Sequence, residues 1–176
     1  MSQSLQQTVA LLTRTPLVLD TLLRDLPEAW TSQNEGGKTW SIPEVIGHLV
    51  HGERVNWLPR ARMILRFDET PFEAFDRLGH INESAGKPLH QLLDEFISIR
   101  SQNLRELNSM DLHEEQLQLR GQHPAFGSVT LSQLLATWCV HDLTHLHQIS
   151  RIMAHPYREA VGPWSAYLGV LKLPPQ

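Results

Sequence analysis

Between Leu131 and Ile152, apolar residues recur at intervals of three and four: Leu131, Leu134, Leu135, Trp138, Ile149 and Ile152. That spacing predicts an amphipathic helix with one continuous inward stripe. Carried through the middle of the segment, the stripe falls on His141 and His145. Two imidazoles then point at the core, one turn apart on the same helix face. A lone inward histidine is more often a hydrogen-bonded core residue. Two of them, left without partners, would be costly polar groups in a packed interior. Spaced i and i+4, they suit two ligands of one metal ion.

Three further segments carry helical periodicity. The first is predicted from about Ser4 to Leu26, with Pro16 expected to kink or break it near Thr15. The second runs from Ile42 to about Arg66. Ser41-Ile42-Pro43-Glu44 reads as a capping box at its start, Trp40 and Val45 as a hydrophobic staple, and Pro59 as the place of a bend. The third opens at Pro88 and carries Leu89, Leu92, Leu93, Phe96, Leu104 and Leu107. The fourth begins after Thr130, where Thr130 and Gln133 form another capping box with Val129 and Leu134 as staple, and ends near His155-Pro156. Phe67–Lys87 reads as loop with a short helix, Gly121–Gly127 as a connector, and Leu117–Leu119 as a short extended piece. The tail after Gly162 is expected to pack back as a short helical turn. With no strand pattern of any length, the expected fold is all-α: one four-helix-bundle domain over residues 1–176 with a short C-terminal helical segment.

A third metal ligand should come from a facing helix. On the second, Ile42, Val45, His48, Leu49, Gly52 and Val55 share a face, so His48 continues an inward stripe. His51, three residues on, competes for the role or sits at the edge of the site. Three imidazoles leave a coordination position for water or substrate. His141-Asp142-Leu143-Thr144-His145 differs from the zinc-protease helix in having Asp for Glu and no extended signature downstream. A di-iron carboxylate site needs Glu-x-x-His on two helices, and Glu44-x-x-x-His48 has the wrong spacing. His80, His90, His113 and His123 are expected in solvent, His147 points elsewhere, and His155 sits at a helix end. Cys139 reads as a small buried apolar residue.

Charge and composition narrow the function. The net charge is −4, and nucleic-acid affinity rests on clustered Lys and Arg. Arg54, Arg60, Arg62 and Arg66 are diluted by Glu53 and Asp68 and read as a solvated helix face, so no nucleic-acid partner is expected. No apolar run approaches the roughly 18 residues of a membrane span. Met1–Gln7 holds neither a basic residue nor an apolar core of a signal peptide, which gives a cytoplasmic expectation. A single cysteine excludes an intramolecular disulfide and a multi-cysteine metal site.

Two stretches, Trp40-Ser41-Ile42-Pro43-Glu44-Val45-Ile46-Gly47-His48-Leu49 and His141-Asp142-Leu143-Thr144-His145-Leu146-His147-Gln148-Ile149, stand in the order and separation of a known pattern. With the tail Val161-Gly162-Pro163-Trp164-Ser165-Ala166-Tyr167-Leu168, the chain resembles the DinB-like superfamily, in its DinB_2 and YfiT-like branch of metal-dependent hydrolases. The resemblance implies a four-helix bundle, often dimeric, with metal ligands at His48, His141 and His145. It implies zinc or nickel as the ion. Relatives include thiol S-transferases using bacillithiol and a mycothiol-dependent isomerase. Val50-His51-Gly52-Glu53 departs from the family pattern after the first histidine, so His51, Glu53 and Asp142 are outer-shell candidates only.

Three functions compete on these grounds. One is an enzyme activating a low-molecular-weight thiol for S-transfer, since coordination lowers a thiol's pKa. Another is a hydrolase of a small molecule, with a carboxylate or His51 as proton carrier. The third is a non-catalytic bundle whose metal ties helices together while its surface binds a partner. A homodimer is expected from the resemblance and from apolar positions in excess of one stripe, such as Trp57, Leu58 and Ile64.

Overall fold

A computed structural model describes residues 4–172. Its helices are α1 (Leu5–Leu23), α2 (Glu28–Thr31), α3 (Ile42–Val55), α4 (Trp57–Leu65), α5 (Gly79–Ser84), α6 (Leu89–Ser109), α7 (Glu114–Leu117) and α8 (Leu131–Ala154). The bundle is made by α1, the α3–α4 pair, α6 and α8, as the sequence predicts. Among the described residues, no helix is long and apolar enough to cross a membrane.

Both predicted capping boxes form. Ser41 caps α3 with Glu44 reaching back, and the Thr130 hydroxyl of α8 accepts from the Gln133 N–H. A third box, Ser4 with Gln7, starts α1. The two interior prolines act differently. α1 runs unbroken through Pro16, which is buried, and stops at Leu23, before Asp25 turns to φ 64°. The second segment does break, at Asn56, three residues before Pro59. Pro59 cannot donate to the carbonyl of Val55, and its ring crowds that carbonyl, so the helix restarts with Pro59 in its first turn.

Two connectors depart from expectation. Residues Arg120–His123 and Gly127–Thr130 pair as a small antiparallel hairpin, β1 and β2, and Leu117 ends α7 rather than an extended piece. The hairpin can seat because Gly121 has no side chain: a Cβ there would meet the Phe72 ring at 2.5 Å and Ile64 Cγ1 at 2.8 Å. Within the 67–87 connector, α5 packs on α3. Gly47 permits that approach, since a Cβ would meet Ser84 Oγ at 2.6 Å and Ser84 Cβ at 2.8 Å. The tail forms short 3-10 turns at Gly162–Tyr167 and Gly169–Leu171, with Trp164 and Tyr167 exposed.

The apolar core has two parts. One centres on Trp57, Leu58, Ile64, Leu107, Leu135 and Trp138, the other on Leu19, Ile42, Ile46, Leu93, Phe96 and Ile149. Trp57, Leu58 and Ile64 are thus core residues, and the apolar surplus expected at a dimer face is not located there.

A buried polar layer lies among these apolar groups. Arg100 of α6 is 1% exposed and forms a two-bonded fork with Asp142 of α8, Nη1 to Oδ2 at 2.6 Å and Nη2 to Oδ1 at 2.9 Å. Nη2 also donates to Glu53 Oε1 of α3 at 2.8 Å, and Nη1 to the Leu12 carbonyl of α1 at 2.9 Å. Leu12 is the residue whose carbonyl Pro16 cannot bond. The guanidinium thereby fills the gap that the proline leaves and touches all four long helices. Burial opposes its charge, but Glu53 and Asp142 outweigh burial and raise its pKa. Trp138 Nε1 and Asn103 Nδ2 complete the shell of Glu53, at 2.8 Å and 2.9 Å.

Removing the cation would strand two buried carboxylates. Arg100→Met is expected to destabilise the fold by about 3–5 kcal/mol, measured by urea unfolding. A loss below about 1 kcal/mol, the range of an exposed pair, would show that the layer does not hold the bundle.

Candidate metal centre

Nε2 of His48, on α3, lies 3.1 Å from Nε2 of His141, on α8, and Nε2 of His145 lies 3.2 Å from the same atom. One donor atom from each ring falls within 4.8 Å of the others. His48 and His145 are buried and His141 is half-buried. The sequence pattern anticipated this convergence. The phase of α8 follows from its neighbours: Asp142 turns toward Arg100, which leaves His141 and His145 facing α3.

The geometry fits a divalent ion better than a hydrogen-bonded trio. An imidazole nitrogen offers one in-plane position, either a lone pair or an N–H. His141 Nε2 has two nitrogen neighbours at hydrogen-bond distance and can make only one well-directed bond. In contrast, ligand nitrogens about 2.0–2.1 Å from a tetrahedral ion stand about 3.3 Å from one another, close to the separations here. The Nδ1 atoms of His48 and His141 are buried without a hydrogen-bond partner among the described residues. That of His145 lies 2.9 Å from Gln148 Oε1. Nδ1–H donates to that oxygen, which leaves the Nε2 lone pair of His145 free to face the other two rings.

The rings are held neutral, as ligation requires. Burial, then the neighbouring His145 and His141 rings, pushes His48 down to about 2. Burial, His145 and Arg100 push His141 down to about 3. Burial also lowers His145, against the opposing pull of Gln148 and Asp142.

The other candidates lie off the cluster. His51 is buried, with Nδ1 3.1 Å from Glu83 Oε1 of α5. Glu53 and Asp142 are bonded to Arg100, and no hydrogen bond joins them to a ring of the cluster. Gln148, which does bond a ring, sits three residues past His145 and was legible only as an i, i+3 neighbour. His80 is not in solvent: it is 0% exposed, with its ring centroid 4.6 Å from Trp40 and 5.3 Å from His48. Nothing in its connector sequence marked it as buried; α5 carries it inward. His90 and His113 are exposed, as expected.

The trio forms part of the wall of a cavity of about 880 Å³. Trp40, Trp57, Phe72, Phe75 and Phe126 supply much of its apolar lining. His123, expected in solvent, is half-buried on this wall. Arg60 is there too, at 8% exposure, whereas Arg54 and Arg62 pair with carboxylates nearer the surface. The arginine cluster is therefore not one solvated face: Arg60 falls on the buried face of α4 with Trp57, Ala61 and Ile64.

Residues 11–149 match the DinB superfamily, and the chain belongs to that family. Among solved structures, YfiT from Bacillus subtilis superposes with a TM-score of 0.73 over 91% of each chain at 18% identity. YfiT is described as a probable metal-dependent hydrolase with an unusual four-helix bundle topology, and the likeness establishes that fold for the present chain. No curated protein matches the sequence.

The lowered histidines make a pH prediction for metal-free protein. Unfolded imidazoles take up protons near their ordinary value of 6.5, while the folded rings of His48 and His141 resist protonation down to about 2 and about 3. The unfolded state binds more protons in that window, so stability falls as pH drops from 6.5 toward the folded values. Urea unfolding at stepped pH, with chelator present, should show the decline, and His48→Leu should flatten it. An identical slope in that variant would remove His48 as a cause.

Proposed function

We propose that this protein is a metal-dependent enzyme acting on a small molecule, with one divalent ion, zinc or nickel, held by His48, His141 and His145. The observation that carries the reading is the meeting of three neutral Nε2 atoms at the wall of a large, mostly apolar cavity. Three protein donors with the remaining side open to a cavity suit a catalytic ion; a purely structural ion is normally closed by a fourth protein ligand. An ion held there would supply Lewis-acid activation, lowering the pKa of a thiol or water beside it.

The chain's own residues bias the choice of nucleophile. Among the described residues that line the cavity there is no Asp or Glu. Glu53 and Asp142 are occupied by Arg100, and His51 faces α5. Hydrolysis usually calls on such a group to carry a proton from water. A thiol that reaches the site as thiolate needs none. This favours a low-molecular-weight thiol as co-substrate, with hydrolysis as the competing reading. Within the site, Gln148 orients His145, and the aromatic walls give the cavity a mostly apolar lining.

Protein produced without an affinity tag should contain close to one metal ion per chain by elemental analysis. His48→Ala, His141→Ala and His145→Ala should each lose most of it, and His113→Ala should not. Gln148→Ala should weaken binding by about 10–100-fold. Cobalt-substituted protein titrated with small thiols should develop a thiolate-to-cobalt charge-transfer band. A spectrum unmoved by any thiol or anion would put the non-catalytic, metal-stabilised interaction module ahead.

We also propose a homodimer. Leu17 and Val18 of α1 and Val140 and Leu143 of α8 are exposed on two helices that pack together. Light scattering at micromolar concentration should give twice the chain mass, and a monomer mass would remove the claim.

A further inference from the structure

Arg60 is a buried cation without a counter-charge. It is 8% exposed and lines the cavity that the three histidines share. Its Nη2 donates to the Glu73 carbonyl at 2.8 Å, and its guanidinium lies over the Phe72 ring, 5.2 Å from the centroid. No carboxylate among the described residues pairs with it. The other deeply buried guanidinium, Arg100, is met by two. Charge withdrawn from bulk water is costly unless it is paired; Nε and Nη1 of Arg60 are not among the buried atoms sealed off without a partner, so the guanidinium meets the cavity, where an anion can enter and pair it.

Its surroundings suit the same guest. His123 Nδ1 accepts from the backbone N–H groups of Ala125 and Phe126, at 3.1 Å and 3.3 Å. That places the proton of the neutral ring on Nε2, and this N–H has no acceptor among the described residues. The intervening walls are aromatic.

We propose that Arg60, with His123 beside it, seats the anionic group of the substrate, and that the substrate is a small organic carboxylate whose apolar body lies along the aromatic wall toward the three histidines. A planar fork of donors matches a carboxylate, and one buried cation balances one charge. Arg77 also lines the cavity but is exposed and adds little to a buried contact. The location of the reacting end rests on the metal-dependent reading above; the anion seat does not.

The test compares a phenylalkyl carboxylate with its primary amide, which has the same shape and no charge. Quenching of tryptophan fluorescence reports binding, because Trp40 and Trp57 line the cavity. Both ligands are titrated into the protein as purified and after chelation, with metal content measured in parallel. The acid should bind at least about tenfold more tightly than the amide in both forms, the worth of a charge-assisted bond. Because Arg60 is buried, salt should erode that preference only weakly. Arg60→Gln should abolish it without changing metal content, and Arg60→Lys should restore part of it. Equal affinities, no binding of either ligand at millimolar concentration, a preference that vanishes on chelation, or one that survives Arg60→Gln would each overturn the proposal. Should Arg60→Gln fail to fold, the acid–amide comparison on the unaltered chain decides. An intact preference in protein that never holds stoichiometric metal would sink the metal reading and leave this one standing.

Discussion

The bundle depends on one buried guanidinium. Arg100 joins the Leu12 carbonyl of α1, Glu53 of α3 and Asp142 of α8 from its own place on α6. None of these groups could be buried alone. Pro16 frees the Leu12 carbonyl by lacking an N–H, and the two carboxylates need a cation in a medium that screens poorly. Each partner is therefore a condition for the others, and the helices must meet in the one arrangement that brings all four together. Apolar stripes alone would tolerate a helix rotated or slid against its neighbours.

The same node sets up the histidines without touching them. With Asp142 turned to Arg100, His141 and His145, which lie together to one side of it in the helical phase, face α3. Glu53 does the equivalent on α3, one and a half turns after His48. Burial then keeps the three rings neutral, and Gln148 selects the tautomer of His145. The polar layer and the histidine cluster thus divide the work: one holds charge in balance, the other holds lone pairs in register.

The cavity has a different origin. Pro59 forces a restart at Asn56, and α4 then carries Trp57 and Arg60, three residues apart and so on one helix face, onto the cavity wall. The connector 67–87 and the hairpin 120–130 supply the remaining wall, with Phe72 and Phe75 from one and His123 and Phe126 from the other. A mostly apolar chamber with a few unpaired polar groups is how small-molecule sites are generally built.

Local sequence was enough to place the four long helices, both strong capping boxes and the inward faces carrying His48, His141 and His145. Each of these rests on spacing within a single segment, which helical geometry converts directly into direction. It was not enough to show that Pro16 leaves α1 intact while Pro59 breaks its helix, because the outcome turns on whether a distant group, here Arg100, satisfies the orphaned carbonyl. Nor could it distinguish Arg60, which looks inward, from Arg54 and Arg62, which pair with carboxylates near the surface. His80 and His123 lie in segments without periodicity, and only the packing of α5 on α3 buries the first, as that of the hairpin over Phe72 half-buries the second. The sequence by itself determined the apolar faces of the long helices and the histidines that continue them, since that is a property of a 3.6-residue repeat. Tertiary structure alone decided which buried charges are paired and which are left without a counter-charge, since a charge partner is chosen by proximity in space and no local pattern encodes it.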